Sequence, residues 1–324
     1  MPNILVAGKI HQAGLDILTN TPGFSVRLVP EVSVASYAPY IAEADALLIR
    51  TQPLTAREIR AGKRLRIVSR HGVGYDSVDI AALTERRIPL ALVGDVNSLS
   101  VAEHTLALLL AVAKRTCHFD RSVRTGEWDR RNSFSAMELA GRCLFILGFG
   151  RIGREVARLA QCFRMRVMAY DPFLPDEVFA RHGVTRIAEI DAGLPLADAV
   201  TLHLPLSGDA PLIGATALAL MKRHAILINT ARGGLVDESA LATALENDAL
   251  AGAGLDVLQQ EPPPAHSALL SQRDRLILSP HSAGLTEEAA MRMSAAAATN
   301  IVDYFHGRLN AERVANKQVL PLMN

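Results

Sequence analysis

Gly148-Phe149-Gly150-Arg151-Ile152-Gly153 stands between two segments of different periodicity. Before it, Arg142 to Leu147 (RCLFIL) is a short apolar run of the kind that forms a buried strand. After it, Arg151 to Phe163 (RIGREVARLAQCF) places Ile152, Val156, Leu159 and Phe163 at helical spacing. Strand, glycine loop and helix therefore follow in the order a dinucleotide-binding turn requires. Gly148 makes the tight turn, Gly150 lets backbone approach a pyrophosphate, and Gly153 lets helix and strand pack closely. The helix N-terminus, with Arg151 and Ile152 in its first turn, offers free N–H groups and a favourable dipole to the phosphates. A second apolar run, Arg166 to Tyr170, ends at Asp171, eighteen residues after Gly153. An acid there accepts hydrogen bonds from the adenosine ribose, and its charge opposes a 2′-phosphate, which favours NAD over NADP. Glycine-rich strand-to-helix turns also occur for purely structural reasons. The flanking strands and the acid weigh against that alternative here.

At 324 residues, 49% of them hydrophobic, the chain can fill two cores of ordinary size. A formal net charge of +1 with interspersed signs gives no electrostatic footprint for nucleic acid or an anionic membrane, so a small-molecule partner is expected. Cys117, Cys143 and Cys162 lack a CxxC spacing and read as buried, reduced thiols. Met1 to Ile10 reads as a first strand rather than a secretory leader, and Thr105 to Ala113, the most apolar run, is too short to span a bilayer. A cytoplasmic protein with no bound metal is the expectation.

Outward from the glycine loop, strand-like and helical runs alternate in both directions. On the N-terminal side they are strands at Ile4 to Ala7, Ser25 to Val29, Ala46 to Ile49 and Arg66 to Ser69, with helices near His11 to Thr19, Val34 to Glu43 and Ala56 to Ala61. That alternation predicts an α/β fold with a parallel sheet covered by helices. A complete α/β unit thus precedes the nucleotide fingerprint, and substrate binding is its natural role. Arg50 follows a strand end, where open α/β sheets bind ligands, and is a candidate for pairing with an anionic substrate; an ordinary surface arginine is the alternative. His71-Gly72-Val73-Gly74 follows another strand, and its glycines can expose backbone N–H groups to an anion. His71 itself reads as a local hydrogen-bonding residue.

Asn97-Ser98-Leu99-Ser100 punctuates the chain, with Glu103 completing a capping box on Ser100, and predicts a helix from Val101 to about Arg124. Its apolar face (Leu106, Leu109, Leu110, Ala113) is core or a dimer seam, and Gly126 to Met137, with Trp128, is an exposed excursion. Beyond Asp171, strands are expected at Ala199 to Leu204, Ala225 to Asn229, Ala253 to Val257 and Arg275 to Leu278. A helix N-capped by Asp237 and a last long helix, Thr286 to Gly307, return the chain to its first domain. The domains are then 1–98 with 284–324, and 99–283.

Three polar residues each follow a strand of the nucleotide domain: Arg232, Glu261 and His281. Hydride transfer to a carbonyl needs a group that gives or takes the hydroxyl proton, which histidine does near neutral pH. A glutamate beside it favours the imidazolium, and an arginine offers forked donors to a carboxylate and the adjacent carbonyl. Taken singly, each is an ordinary loop residue.

As an ensemble the motifs resemble the D-isomer-specific 2-hydroxyacid dehydrogenases. The resemblance is carried by Thr230-Ala231-Arg232-Gly233-Gly234-Leu235-Val236-Asp237, by Gly254-Leu255-Asp256-Val257 with Glu261-Pro262, and by Ser279-Pro280-His281. Asn97-Ser98 with Val101-Ala102-Glu103-His104, and His71-Gly72-Val73-Gly74-Tyr75-Asp76, resemble further blocks of the family, so the match runs from about Arg50 to Gly284. It implies two Rossmann-like domains, a flavodoxin-like substrate domain and a doubly wound NAD-binding domain, with the active site in the cleft between them and a homodimer through the cofactor domain. It implies His281 as acid/base, Glu261 as its partner and Arg232 as the substrate-orienting residue. Asp256 and Thr230 are implied near the nicotinamide carboxamide, Ala231 near its ring, and His203-Leu204-Pro205 near the ribose and phosphates, with Thr105 and Gly284 also lining the cofactor. Val73 and Gly74 are implied as donors to the substrate carboxylate. Glutamate rather than glutamine at 261 disfavours the formate dehydrogenase branch. Because the chain ends soon after its closing helix, the regulatory extension of long phosphoglycerate dehydrogenases, and serine feedback with it, is not expected. The reading is an NAD-dependent oxidoreductase of 2-oxoacid/2-hydroxyacid pairs, phosphoglycerate-like or hydroxypyruvate/glyoxylate-like. The alternative is a dinucleotide-sensing, corepressor-like interaction protein on the same fold.

Overall fold

A computed structural model describes residues 1–206, 208, 210–272 and 274–320. The chain divides into two compact units, Met1–Asn97 with Leu285–Asn324, and Ser98–Gly284.

The first unit is built on five parallel strands: β1 (Asn3–Ala7), β2 (Ser25–Val29), β3 (Ala46–Ile49), β4 (Ile67–Arg70) and β5 (Leu90–Ala91), in the order β2-β1-β3-β4-β5. Side chains alternate between its two faces, as strand geometry demands. Leu5, Ala7, Leu47, Ile49 and Val68 pack with Tyr37, Ile41, Ile59 and Leu83 of the helical segments on one side. Ile4, Val6, Ala46, Leu48 and Ile67 pack with Leu18 and with Met293, Ala297 and Ile301 of the helix Glu287–Phe305 on the other. The helix expected over Val34 to Glu43 is α-helical only over Val34–Tyr37 and continues as a 3₁₀ segment, Ala38–Glu43, because Pro39 cannot donate the next intrahelical bond.

The second unit holds seven parallel strands: β6 (Cys143–Leu147), β7 (Arg166–Tyr170), β8 (Thr185–Arg186), β9 (Ala199–Leu202), β10 (Ile226–Asn229), β11 (Gly252–Leu255) and β12 (Leu276–Leu278). Their order is β12-β11-β10-β9-β6-β7-β8, so the winding direction reverses between β6 and β9. The helices Ser98–Ala113 and Arg151–Cys162 cover one face through Leu106, Leu109, Val156 and Ala160. Helices Ala215–Leu220 and Glu238–Glu246 cover the other through Leu218, Leu241 and Leu245.

Three expectations are corrected here. The long helix starts at Ser98, which puts Ser100 inside it rather than at its cap, and it stops at Ala113. The Ala113 carbonyl accepts the Met137 N–H, Arg115 turns into the left-handed region at φ 53°, and a separate helix runs Thr116–Arg124. The apolar face of the first helix (Leu106, Leu109, Ala113) is core. Of the three free cysteines only Cys143 is buried; Cys117 and Cys162 are exposed on helix faces.

At the edge of the second sheet opposite the strand C-termini, Asp198 accepts the Cys143 N–H at 2.8 Å, His224 Nε2 at 2.9 Å and Lys222 Nζ at 3.1 Å. Burial alone would raise its pKa, but these donors outweigh it and hold it down at about 2, against 3.8. A depressed carboxylate stabilises the fold above its unfolded pKa, and that contribution disappears as pH falls from about 4 toward 2. It amounts to about 2 kcal/mol. Urea unfolding of Asp198→Asn at pH 7 should show a loss of that order, with a shallower acid decline than the unsubstituted chain; an unchanged midpoint would remove Asp198 from this role.

Candidate active site

Because every strand pair in the second unit is parallel, the segments that follow its strands gather at one edge. The β6/β9 reversal marks where an open sheet of this kind binds a ligand. Gly148 sits there at φ +94°, and a Cβ on it would stand 2.7 Å from the His203 carbonyl, so no other residue fits. A Cβ on Gly153 would stand 2.2 Å from the Gly148 oxygen, which is the close helix–strand approach expected of it. At Gly150, the N-cap of the helix Arg151–Cys162, a Cβ would meet nothing within 4 Å: open space lies over the helix N-terminus. Asp171, at the end of β7, accepts the Phe149 N–H and the Phe173 N–H, both at 3.0 Å, and so ties the acid to the glycine loop. His203 follows β9; its Nε2 meets Thr201 Oγ1 at 3.0 Å, while its shielded Nδ1 has no partner among the described residues. Burial lowers its pKa to about 3, so the ring is neutral. Pro205 is exposed beyond it. An anion-accepting helix end, room above it and an unanswered buried ring nitrogen are what a dinucleotide at this edge needs.

Asp256 organises the opposite half of the edge. It follows β11, is 1% exposed, and its Oδ1 accepts Ser279 Oγ at 2.6 Å and the Ser282 N–H at 2.9 Å, while Oδ2 accepts the Ala283 N–H at 2.9 Å. Its backbone carbonyl accepts the His281 N–H at 2.8 Å. The loop after β12, up to Gly284, is thereby fixed, including His281 at φ 52°, a conformation that a non-glycine residue adopts only when its surroundings impose it. Within that loop His281 Nδ1 lies 2.7 Å from Glu261 Oε2, and Glu261 Oε1 accepts the Leu258 N–H at 3.0 Å. The carboxylate holds the proton on Nδ1 in the neutral ring and leaves Nε2 for chemistry. Both side chains are about half exposed, so solvent and substrate can reach them.

Arg232 follows β10 in a turn shaped by Asn229, whose Oδ1 accepts the Ala231 N–H at 3.0 Å and whose Nδ2 donates to the Arg232 carbonyl at 2.8 Å. The arginine's Nη1 donates to the Ala231 carbonyl at 2.7 Å. Gln259 joins this region to the Glu261 segment: its side-chain amide donates to the Val236 carbonyl at 3.0 Å and its N–H to Glu238 Oε1 at 2.6 Å. Thr230 and Thr105 are both buried and share a hydroxyl hydrogen bond of 2.9 Å, with Thr105 also donating to the Val101 carbonyl.

In the first unit, Arg50 follows β3 and its Nη1 donates to the Lys9 carbonyl at 2.8 Å; burial pulls its pKa below the usual arginine value. His71 is buried, with Nε2 2.8 Å from Ser294 Oγ, which supports its reading as a local hydrogen-bonding residue. Burial, then the charges of Arg50 and Arg70, lower its pKa to about 4, so it too is neutral. Gly72 takes φ +149° and Val73 is exposed, leaving the backbone of 72–74 at the surface of the unit.

The family description for the NAD-binding domain of D-isomer-specific 2-hydroxyacid dehydrogenases matches residues 106–283, more than half of the chain. The chain belongs to that family. Among its relatives in the family, D-3-phosphoglycerate dehydrogenase of Methanocaldococcus jannaschii is 36% identical over 99% of this chain and 60% of its own. The chain thus spans about three fifths of the length of that relative. Glyoxylate reductase of Korarchaeum cryptofilum is 37% identical over 86% of this chain and 85% of its own. The crystal structure of the NADPH-dependent glyoxylate/hydroxypyruvate reductase of Sinorhizobium meliloti superposes with a TM-score of 0.83 at 30% identity, covering 94% of this chain and 95% of that one.

Within this 2-hydroxyacid dehydrogenase fold, several polar residues escape a sequence reading. His104 Nε2 meets Ser279 Oγ at 2.8 Å and lies 3.5 Å from Asp256 Oδ1, so it braces the knot that holds the His281 loop. Asn229 and Ser279 serve their loops in the same manner. Their only sequence signal is position: each stands at a strand end or within a motif block, with no chemistry of its own. Among the described residues no group of three or more potential metal ligands occurs, and no helix is long and apolar enough to cross a membrane.

Proposed function

We propose that the chain transfers a hydride between NAD and a 2-oxoacid/2-hydroxyacid pair, the hydroxyacid being of D configuration. The observation that carries this reading is the 2.7 Å contact between Glu261 and His281, the histidine standing on a loop pinned by Asp256, at the same sheet edge as the glycine turn. NAD, held by Gly148, Gly150, Arg151, Ile152, Gly153 and Asp171, supplies the hydride acceptor or donor. His281 Nε2 gives a proton to the carbonyl oxygen as it becomes a hydroxyl, and takes it back in oxidation. Glu261 stabilises the charged imidazole, and Arg232 binds the carboxylate and polarises the carbonyl. In the first unit Arg50 and the N–H groups of Gly72, Val73 and Gly74 hold the substrate's anionic end. Phosphoglycerate-like and hydroxypyruvate/glyoxylate-like acids lead as substrates, in line with the named relatives. NADH oxidation against a panel of 2-oxoacids tests the reading; no turnover with any of them would defeat it.

Asp171 gives the cofactor preference. A carboxylate already tied to the Phe149 N–H suits ribose hydroxyls and repels a 2′-phosphate. The expected result is a higher kcat/KM with NADH than with NADPH, narrowed in Asp171→Asn; equal values in the unsubstituted chain would take Asp171 out of this role.

A homodimer through the second unit belongs to the same reading. Val123, Trp128 and Phe134 are 57%, 63% and 91% exposed along one stretch of that unit, apolar surface of the kind a partner copy covers. Three free thiols support a cytoplasmic setting.

A further inference from the structure

Glu261 stands at the end of a stretch, residues 258–261, that burial does little to hold: Gln259, Gln260 and Glu261 are exposed and Leu258 is half-buried. Hydrogen bonds and one close approach hold it instead. The Gln259 N–H donates to Glu238 Oε1 at 2.6 Å, and its side-chain Nε2 donates to the Val236 carbonyl at 3.0 Å. The Leu258 N–H donates to Glu261 Oε1, which leaves Oε2 for His281. Gly233 lies so near the Leu258–Gln259 peptide that a Cβ on it would stand 2.0 Å from the Leu258 carbonyl carbon and 2.4 Å from the Gln259 nitrogen.

Gly233, Val236 and Glu238 all belong to the segment that follows β10 and begins with the Arg232 turn. The turn that presents Arg232 and the stretch that presents Glu261 are thus bound to each other inside the second unit. Helix capping does not occupy Glu238. The helix Glu238–Glu246 starts on Asp237, whose Oδ1 accepts the Ser239 and Ala240 N–H groups. The Glu238 carboxylate reaches away from its own helix to the Gln259 N–H, and the ionised acceptor makes that tether stronger than a neutral hydrogen bond. On an exposed stretch, where buried apolar contacts are few, such tethers decide how far the backbone opens.

We propose that Glu238 and Gln259 are positioning residues for the proton transfer. Through the 258–261 stretch they hold Glu261 where it keeps the proton of the neutral His281 ring on Nδ1, and they preset the place of that pair relative to Arg232. Their action passes through Glu261. This rests on the dehydrogenase reading above and adds to it the residues that assemble its acid/base pair.

The test compares Glu238→Ala, Glu238→Gln, Glu261→Ala and the double variant Glu238→Ala/Glu261→Ala with the unsubstituted chain. It measures NADH oxidation with the 2-oxoacid turned over fastest, NADH binding, thermal unfolding, and the nitrogen NMR resonances of the His281 ring without cofactor, assigned by their loss in His281→Ala. Glu238→Ala should lower kcat by about 10- to 100-fold, the scale of a displaced catalytic group, with KM and NADH binding nearly unchanged. Glu238→Gln keeps an oxygen for the Gln259 N–H and should recover most of the rate. In the Glu261→Ala background, Glu238→Ala should cost nothing further, because the group it positions is gone. The ring proton, on Nδ1 in the unsubstituted chain, should shift toward Nε2 in Glu238→Ala. The proposal is overturned if Glu238→Ala keeps its kcat, or if it costs the same factor with and without Glu261. It is also overturned if Glu238→Gln is as slow as Glu238→Ala and both unfold earlier, which would make Glu238 a structural charge only. Should Glu238→Ala fail to fold, Gln259→Ala, which loses only the tie to Val236, takes its place under the same criteria. If the unsubstituted chain reduces no 2-oxoacid, the dehydrogenase reading itself falls, and the His281 tautomer alone decides whether the tether acts on Glu261.

Discussion

His281→Ala should lower kcat by about 10²- to 10⁴-fold while leaving NADH binding, followed by fluorescence titration, nearly intact. The size follows from the proposed role. Without an acid in place, the carbonyl oxygen must take its proton from water, yet nothing in the glycine loop that holds the dinucleotide has changed. Reduction needs a proton from the ring and oxidation needs the ring to take one, so both directions should slow together in the variant. Glu261 Oε2, 2.7 Å from Nδ1, orients the ring, so Glu261→Gln should lower kcat while leaving NADH binding intact. A His281→Ala protein that kept its rate would make this histidine a bystander and favour a dinucleotide-sensing protein instead.

Arg232→Ala should depress kcat/KM by at least about 10²-fold, with KM raised and kcat lowered together. Two charge-assisted hydrogen bonds to a carboxylate and its neighbouring carbonyl, each contributing about 1.5–3 kcal/mol, set that scale. The turn around Arg232 keeps both of its Asn229 hydrogen bonds when the guanidinium is removed, so the variant should fold. Arg232→Lys should recover only part of the loss, because an ammonium cannot make the forked pair. If KM for 2-oxoacids stays put in Arg232→Ala, the carboxylate is held elsewhere, and Arg50 is the next residue to substitute.

Much of this architecture is legible in the sequence where the governing physics is local. The glycine turn needs only a strand, a φ-positive glycine and a helix in succession, and Gly148, Gly150 and Gly153 stand as that order requires. The cap at Asp237 is equally local: its carboxylate accepts the Ser239 and Ala240 N–H groups. What hides is set by contacts distant in sequence. Glu261 and His281 are separated by 20 residues and His104 and Ser279 by 175, and no periodicity announces either pair. The break at Arg115 carries no glycine or proline; it falls where the buried stripe ends, and stripe length depends on the sheet beneath.

The first unit is assembled from two stretches that the chain supplies at widely separated times during synthesis. Residues up to Asn97 emerge early, yet Ile4, Val6, Leu48 and Ile67 face a core that also needs Met293, Ala297 and Ile301. Until the helix Glu287–Phe305 leaves the ribosome, one side of the first sheet is covered only in part, by the segment that carries Leu18. The nucleotide-type unit, contiguous from Ser98 to Gly284, is complete before that moment. A nascent chain stalled short of the last helix would therefore carry one finished unit behind one sticky, protease-sensitive sheet, the natural handle for a chaperone.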